Sequence, residues 1–147
     1  MRFSIDTNVL LYAFEEDTDR GETAARTIAR ALLRDCVLTN QVLGEFNNVV
    51  RGRMPDRMRA AREVVSAWSF VFPVVPTSTA QLIVASELSE QHRLQYWDSL
   101  ILVVAGAAGA ECLITEDMND GATIDGVRLL NPFKPDNAEL LEALLAV

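Results

Sequence analysis

Short apolar runs alternate along this chain with longer segments of helical periodicity. Short runs of mainly apolar residues are typical of buried strands, and they occupy residues 3–6, 36–38, 112–115 and 127–130. A further run, residues 71–75, contains Pro73, which predicts a short strand at a sheet edge. Because most positions in these runs are apolar, they indicate a parallel sheet covered on both faces.

The segments between the strands predict helices. These helices are expected over residues 9–14, 22–34, 40–51 and 55–69, from residues 77–79 to about residue 91, and over 96–108 and 136–145. Thr39 and Asn40 suit an N-cap, and Pro55 suits a first helical turn. Residues 15–19 and 116–126 are expected to be polar loops. Strands that alternate with helices predict one α/β domain over residues 1–147.

Composition restricts the class of protein. Half of the 147 residues are hydrophobic, which is too apolar for disorder, and no apolar run approaches the roughly 18 residues that span a bilayer. An acid at Asp6 argues against a signal peptide. Cys36 and Cys112 each begin a short apolar run and are expected to be reduced core residues. The expected location is therefore the cytoplasm.

The charge distribution is acidic overall. A net charge of −8 argues against a large basic surface that grips duplex nucleic acid, although bound cations can reverse a local acidic field. Five arginines are concentrated in one stretch, at Arg51, Arg53, Arg57, Arg59 and Arg62. They fit either a solvated helix face or contacts with phosphate, and the sequence leaves both open.

Two acids lie where strands end. Asp6 ends the first predicted strand, and Asp117 lies just after the strand over residues 112–115. Ligands of open parallel sheets bind beyond the carboxyl ends of the strands, where the strand order reverses. If these two strands are neighbours, both carboxylates reach one crevice.

Two other acids interrupt apolar helix faces. Glu45 lies three residues after Val42 and four before Val49, and Asp98 precedes an almost wholly apolar helix. An unpaired buried carboxylate is costly, and neither acid has a Lys or Arg within three positions. The sequence therefore favours a divalent cation as the partner of these acids.

Each acid also has an ordinary structural explanation. Asp6 suits an N-cap, Asp98 suits a first helical turn, Glu45 could pair with a distant arginine, and Asp117 could be a loop acid. Four acids that reach the same end of one sheet fit a joint role better. An all-oxygen set suits Mg²⁺ or Mn²⁺ rather than Zn²⁺.

Other catalytic chemistries find little support. The single histidine, His92, lies in a polar helix end and is expected to be solvated. No nucleophile elbow, Gly-rich phosphate loop or Cys-x-x-Cys motif is present. Water activated by a metal is the chemistry that remains.

The motifs that contain these acids resemble those of PIN-domain nucleases. Residues 5–12 (IDTNVLLY) are similar to the opening motif of that family, and the similarity continues through residues 44–46 (GEF), 96–101 (YWDSLI), 113–117 (LITED) and 130–133 (LNPF). The resemblance covers essentially the whole chain. Single-domain members of this size resemble the VapC-type toxins of bacterial toxin–antitoxin pairs.

The resemblance implies a five-stranded parallel sheet, an Mg²⁺- or Mn²⁺-dependent endoribonuclease, a homodimer and a cognate antitoxin. It implies that Asp6 and Asp98 are core metal ligands and that Glu45 and Asp117 complete the site. Asn8 and Thr115 would be supporting polar residues. The chain departs from the family at the acid two positions beyond Asp117, because Asn119 stands there; whether Asp120 takes that role is open.

Two alternatives compete with this interpretation. A haloacid-dehalogenase-type phosphatase needs a second Asp two positions after its nucleophile, where this chain has Asn8. A catalytically idle protein-binding module of the same fold is the second alternative, and the cost of keeping a buried acid cluster argues against it. Apolar surface that could contact a second copy or an antitoxin segment is expected on the helices over residues 42–50 and 82–88.

Overall fold

Strands and helices alternate through most of the computed structural model, which describes residues 1–15 and 18–147. The strands are β1 (Phe3–Ile5), β2 (Leu38–Thr39), β3 (Val74–Val75), β4 (Cys112–Ile114), β5 (Thr123–Ile124) and β6 (Val127–Leu130). The α-helices are α1 (Thr7–Glu15), α2 (Asp19–Ala31), α3 (Asn40–Arg53), α4 (Met58–Val71), α5 (Thr79–His92), α6 (Tyr96–Ala107) and α7 (Ala138–Leu145). Short 3₁₀ turns at Pro55–Arg57 and Pro135–Asn137 precede α4 and α7.

The strands form two sheets rather than one. The larger sheet has the order β1-β4-β6-β5, with β1–β4 and β4–β6 parallel and β5–β6 antiparallel. β2 and β3 form a separate parallel pair, which one backbone bridge between Phe3 and Cys36 connects to β1. The α/β class is confirmed, whereas the expectation of a single five-stranded parallel sheet is wrong.

The fourth strand of the larger sheet lies inside the predicted loop over residues 116–126. β5 pairs with β6 through a two-residue turn, in which Asp125 and Gly126 have φ values of 49° and 80°. Two consecutive residues with positive φ are typical of a type I′ turn, and Asp-Gly is one of its preferred sequences. This hairpin ends the sheet with an antiparallel edge.

The other predicted loop, residues 15–19, is shorter than expected. Glu15 ends α1 and Asp19 begins α2, while residues 16–17 lie outside the described residues. Thr39 is the N-cap of α3, as predicted, because its side chain accepts a hydrogen bond from the Val42 amide at 3.3 Å. Pro55 begins a 3₁₀ turn, so α4 starts three residues later than expected.

The core lies on both faces of the central strands. Every residue of β1 and β4 is buried, and because successive side chains point to opposite faces, both faces of these strands are covered. Phe46 of α3 packs edge-to-face against Phe14 and Trp68, with ring centroids 5.3 and 5.1 Å apart. α6 is largely buried, as predicted.

Both cysteines are buried free thiols, in agreement with the sequence. Burial raises the pKa of Cys36 to about 12 and that of Cys112 to about 11, so neither thiol is ionised near neutral pH. None of the helices in the described part of the chain is long and apolar enough to cross a membrane.

Candidate metal centre

Asp6 is fixed at the carboxyl end of β1. Its amide donates to the Ile114 carbonyl of β4 at 2.9 Å, and only 2% of the residue is exposed. One carboxylate oxygen, Oδ1, accepts from the Thr7 amide at 2.7 Å, and the other, Oδ2, accepts from the Thr115 hydroxyl at 2.6 Å. The pairing of β1 with β4 therefore produces the shared crevice that the sequence predicted for these two strands.

Three aspartates converge at this crevice. Asp6, Asp98 and Asp117 each have a carboxylate oxygen within 4.8 Å of the others. Asp98 comes from the first turn of α6, and Asp117 follows β4. Asn8 donates from Nδ2 to Oδ2 of Asp117, and the Thr115 hydroxyl accepts from the Asp117 amide at 3.2 Å. Both predicted supporting residues thus contact the acids.

Glu45 lies beside the three aspartates but outside their set of close oxygens. Its Oε2 accepts from the Thr7 hydroxyl at 2.7 Å, and its Oε1 accepts from Nε2 of Gln41. Gln41 also donates to the Trp97 carbonyl at 2.9 Å, which connects α3 to the start of α6. Glu45 is therefore held close to Asp98 by neutral partners, and no described ion pair joins it to an arginine.

The electrostatics of the crevice disfavour three free carboxylates. Burial raises the pKa of Asp6 to about 7, against two hydrogen bonds that lower it, and the charges of Asp98 and Asp117 raise it further. Burial is the largest cause that raises the pKa of Asp98 to about 6, and the charges of Asp117 and Glu45 also raise it. Burial also raises the pKa of Asp117, with Asn8 opposing and Glu45 contributing. Repulsion between like charges therefore adds to the cost of burial.

The residues fit a divalent cation. No described Lys or Arg forms an ion pair with the three aspartates, so their charge is not balanced within the described chain. A dication would balance this charge and lower all three pKa values. The donor atoms are oxygens only, which matches Mg²⁺ or Mn²⁺ and not the nitrogen and sulfur preference of Zn²⁺.

A groove of about 900 Å³ opens from this centre. Glu45 and Asp98 are among the residues that line it, together with residues of α3, Leu82 of α5 and Trp97, which is 54% exposed. Such a groove gives an extended ligand access to the acids.

The remaining candidates from the sequence lie elsewhere. Asp120 is absent from the acid cluster and instead accepts from the Asn131 amide at 2.8 Å and from Nδ2 of Asn137 at 2.9 Å. His92 is exposed, as predicted. Arg57 stacks on Phe14 with its guanidinium carbon 4.0 Å from the ring centroid, whereas the other four arginines of that stretch are exposed.

Two polar contacts of the site were missed in the sequence. Thr7 and Gln41 both bind Glu45. Only the Gln41 contact has a signal in the sequence, because Gln41 is four residues before Glu45 on the same helix face. The expected apolar surface over residues 42–50 is wrong, because the apolar side chains at positions 42, 43, 46 and 50 are buried. On α5, by contrast, Leu82, Ile83 and Val84 are 38%, 60% and 43% exposed.

Comparisons with known proteins agree with this architecture. Residues 4–119 match the family model of the PIN domain. A toxin–antitoxin complex from Klebsiella pneumoniae is similar in structure, with a TM-score of 0.67 and 21% identity over 89% of this chain and 98% of that one. Mycobacterium tuberculosis VapC20, a toxin that cleaves the sarcin–ricin loop, gives a TM-score of 0.65 and 20% identity over 78% and 89%.

A third similar structure is VapBC2 from Rickettsia felis bound to a DNA fragment from its promoter, with a TM-score of 0.65 and 19% identity over 88% of this chain and 97% of that one. At these identities the likeness concerns the fold. No curated protein is significantly similar to this chain in sequence.

Proposed function

Because this chain belongs to the PIN-domain family, we propose that it is a metal-dependent endoribonuclease and the toxin of a type II toxin–antitoxin pair. The observation that carries the proposal is the convergence of Asp6, Asp98 and Asp117 within 4.8 Å, with no described Lys or Arg paired to any of the three. Asp6 is buried, Asp98 is half-buried and Asp117 is exposed, and holding three like charges this close is costly unless a cation offsets them. Divalent-metal chemistry gives the cluster a purpose.

In the proposed reaction the three aspartates bind the metal, and two polar neighbours orient them. Asp6 and Asp98 would hold Mg²⁺ or Mn²⁺, and Asp117 would complete the set of oxygens. The dication would supply Lewis-acid stabilisation of the phosphate oxygens and acidify the attacking water. Thr115 keeps Asp6 in its ligating orientation, and Asn8 does the same for Asp117.

Glu45 is the proposed general base or water-orienting group. It lies next to Asp98, and hydrogen bonds from Thr7 and Gln41 fix both of its oxygens. A positioned carboxylate in this place can accept the proton of the water that attacks the RNA phosphodiester. An alternative within the same proposal is that Glu45 binds a second ion.

RNA fits the surroundings of the centre. The groove beside Glu45 and Asp98 is open and lined by amide side chains and Trp97. Single-stranded or looped RNA can place unstacked bases in such a groove, where aromatic and amide groups recognise them. Mycobacterium tuberculosis VapC20 is described as cleaving an RNA loop. We extend only the substrate class, looped RNA, to this chain.

Partners are proposed on similar grounds. Two of the similar structures contain an antitoxin with the toxin, and a cognate antitoxin that covers the acids would restrain this activity. The exposed apolar side chains of Leu82, Ile83 and Val84 on α5 suit a homodimer contact. The proposed compartment is the cytoplasm, where the two unbridged thiols remain reduced.

Cleavage of single-stranded RNA with Mn²⁺ or with EDTA tests the proposal. Asp6→Asn and Asp98→Asn should each lower the rate at least about a hundredfold, as should EDTA. Asp56→Asn is the matched control, because Asp56 is an exposed acid on a 3₁₀ turn. Undiminished cleavage by either site variant, or in EDTA, would remove the proposed mechanism.

A further inference from the structure

Arg20 is the cation that the structure places beside the acid centre. Its Nη1 donates to Oε2 of Glu116, the residue directly before Asp117, and to the Tyr12 hydroxyl at 3.3 Å. Its guanidinium carbon lies 5.6 Å from the centroid of the Tyr12 ring and 5.2 Å from that of Phe133. These contacts hold the guanidinium from several directions.

Two hydrogen bonds from α1 relate the position of Arg20 to the acid centre. On α1, Asn8 donates to Asp117, and Tyr12 donates to Oε1 of Glu116. Asn8 and Tyr12 are four residues apart on one helix face, so the two contacts are separated by about one helical turn, roughly 5.4 Å. Arg20 contacts both residues of the second hydrogen bond, so it is held beside the residue that directly precedes Asp117.

The side chain faces outward. Arg20 has 51% of its side chain exposed, whereas Glu116 has only 13%. Both recorded hydrogen bonds of Arg20 use Nη1, which leaves Nε and Nη2 without an acceptor in the described ranges 1–15 and 18–147. A half-exposed guanidinium with two such donors suits bidentate binding of a phosphate.

The position is also unfavourable for a cation used only in folding. Arg20 is the second residue of α2, where the helix dipole disfavours positive charge, and α2 already has Asp19 and Glu22 in its first turn. The Glu116 carboxylate offsets this cost. The structure thus maintains one oriented cation at the rim of an acidic site.

We propose that Arg20 binds a phosphate of the RNA next to the phosphate that the acid centre engages, so that it sets the register of the strand. This inference rests on the proposed ribonuclease function and adds a phosphate subsite to it. Phosphate contacts of this kind position a nucleic acid without reading its sequence.

Salt-dependent RNA binding tests the subsite. The full chain carries Asp98→Asn so that the probe is not cut, and the probe is a fluorescein-labelled single-stranded RNA of about 20 randomised nucleotides. Anisotropy gives the binding constant between about 50 and about 200 mM KCl. Added Arg20→Gln should weaken binding about tenfold and reduce the slope of log K against log salt by about 0.7.

Two further variants separate a phosphate contact from other effects. Arg20→Lys should keep the slope but lose part of the affinity, because an ammonium does not bind phosphate in a bidentate manner. Arg59→Gln makes the same charge change on exposed α4, at a residue paired with Glu63 at 3.6 Å, and should leave the slope unchanged.

The subsite is overturned if Arg20→Gln leaves the slope unchanged, if Arg59→Gln reduces it equally, or if the Asp98→Asn chain shows no salt-dependent RNA binding. An unchanged slope with a lowered melting midpoint would make Arg20 a structural residue. An unchanged slope with loss of a co-purifying partner would assign it to a protein contact. Failure of the proposed function is seen separately, as absence of metal-dependent cleavage when Asp98 is intact.

Discussion

Thr115 donates its hydroxyl hydrogen to Asp6 across 109 positions of the chain, with 2.6 Å between Oγ1 and Oδ2. The same hydroxyl oxygen accepts from the Asp117 amide at 3.2 Å. One small side chain therefore orients one of the three aspartates and the backbone of another. Because Asp6 has its second oxygen bound by the Thr7 amide, its carboxylate cannot rotate freely. The site is pre-organised by its polar neighbours.

Replacing Thr115 with Val should weaken metal binding while the fold persists. Val has a similar shape but lacks the hydroxyl, so the pKa of Asp6 rises further and its orientation is lost. We expect Mn²⁺ affinity to fall about 10- to 100-fold, measured by calorimetric titration near neutral pH. Thr115→Ser retains the hydroxyl and should remain within a few-fold of the parent. Equal affinities for the Val and Ser variants would contradict an orienting role.

Glu45→Gln should affect turnover more than metal binding. Glu45 lies outside the three closely spaced oxygens, and its proposed duty is to accept a proton from water. We expect kcat for RNA cleavage to fall about 10²- to 10⁴-fold. Mn²⁺ affinity should change by less than about threefold, a difference that calorimetry resolves. If the affinity falls as far as it does in Asp98→Asn, Glu45 is a metal ligand.

Stability of the metal-free chain should decrease as the pH rises from about 4 to about 7. Burial raises the pKa of Asp6 from 3.8 to about 7, so in this range the folded state binds more protons than the unfolded state. The free energy of unfolding therefore falls with pH, and the raised pKa of Asp98 acts in the same direction. Urea unfolding in EDTA across this range measures the effect. A flat profile would contradict an uncompensated acid cluster.

Added Mn²⁺ should reverse this trend. The cation binds ionised carboxylates of the folded chain, so it should raise the melting midpoint strongly near pH 7.5 and weakly near pH 5. Asp98→Asn should remove most of the increase, and Asp56→Asn should not. A catalytically idle module without a metal site would show no stabilisation by millimolar Mn²⁺ at either pH, which separates it from the proposed enzyme.

Asp120 is expected to stabilise the fold and not to bind the metal. Burial would raise its pKa, but hydrogen bonds from the Asn131 amide, Asn137 and Lys134 outweigh burial and hold the pKa of its carboxyl below the usual value. Asp120→Ala should cost about 1–3 kcal/mol in urea unfolding at neutral pH, because three donors lose their acceptor. Its contribution is present above the unfolded pKa and is lost as the pH falls through the lowered one. Mn²⁺ affinity should not change; a large loss would place Asp120 at the metal.

The elements with strong local signals could be predicted from the sequence. The predicted bounds of β6 match the observed ones, and those of α6 differ by one residue. Both predictions depend on local features of the sequence: a mainly apolar stretch and, for α6, the glycine at position 109 that follows the helix. β5 was missed because two residues are too few for a periodic pattern. Its Asp125-Gly126 turn was nevertheless a readable hairpin signal, and both residues have positive φ.

The sequence predicts that the four acids approach one another, but not how they are arranged. Asp6 and Asp117 meet because β1 pairs with β4, and the sequence left that pairing as a condition. The separation of Glu45 from the other three acids depends on side-chain reach, which spacing along the chain does not give. The Tyr12–Glu116–Arg20 contacts join residues as far as 104 positions apart, so no local pattern reveals them.

The two-residue strands at both ends of the strand array limit how copies of this chain can join. β5 closes one end, and β3 closes the other between Pro73 and Pro76. Very short edges and flanking prolines leave few backbone groups for a strand from another molecule, which discourages open-ended fibre growth. Any association between copies is therefore expected to depend on side-chain contacts rather than on strand pairing.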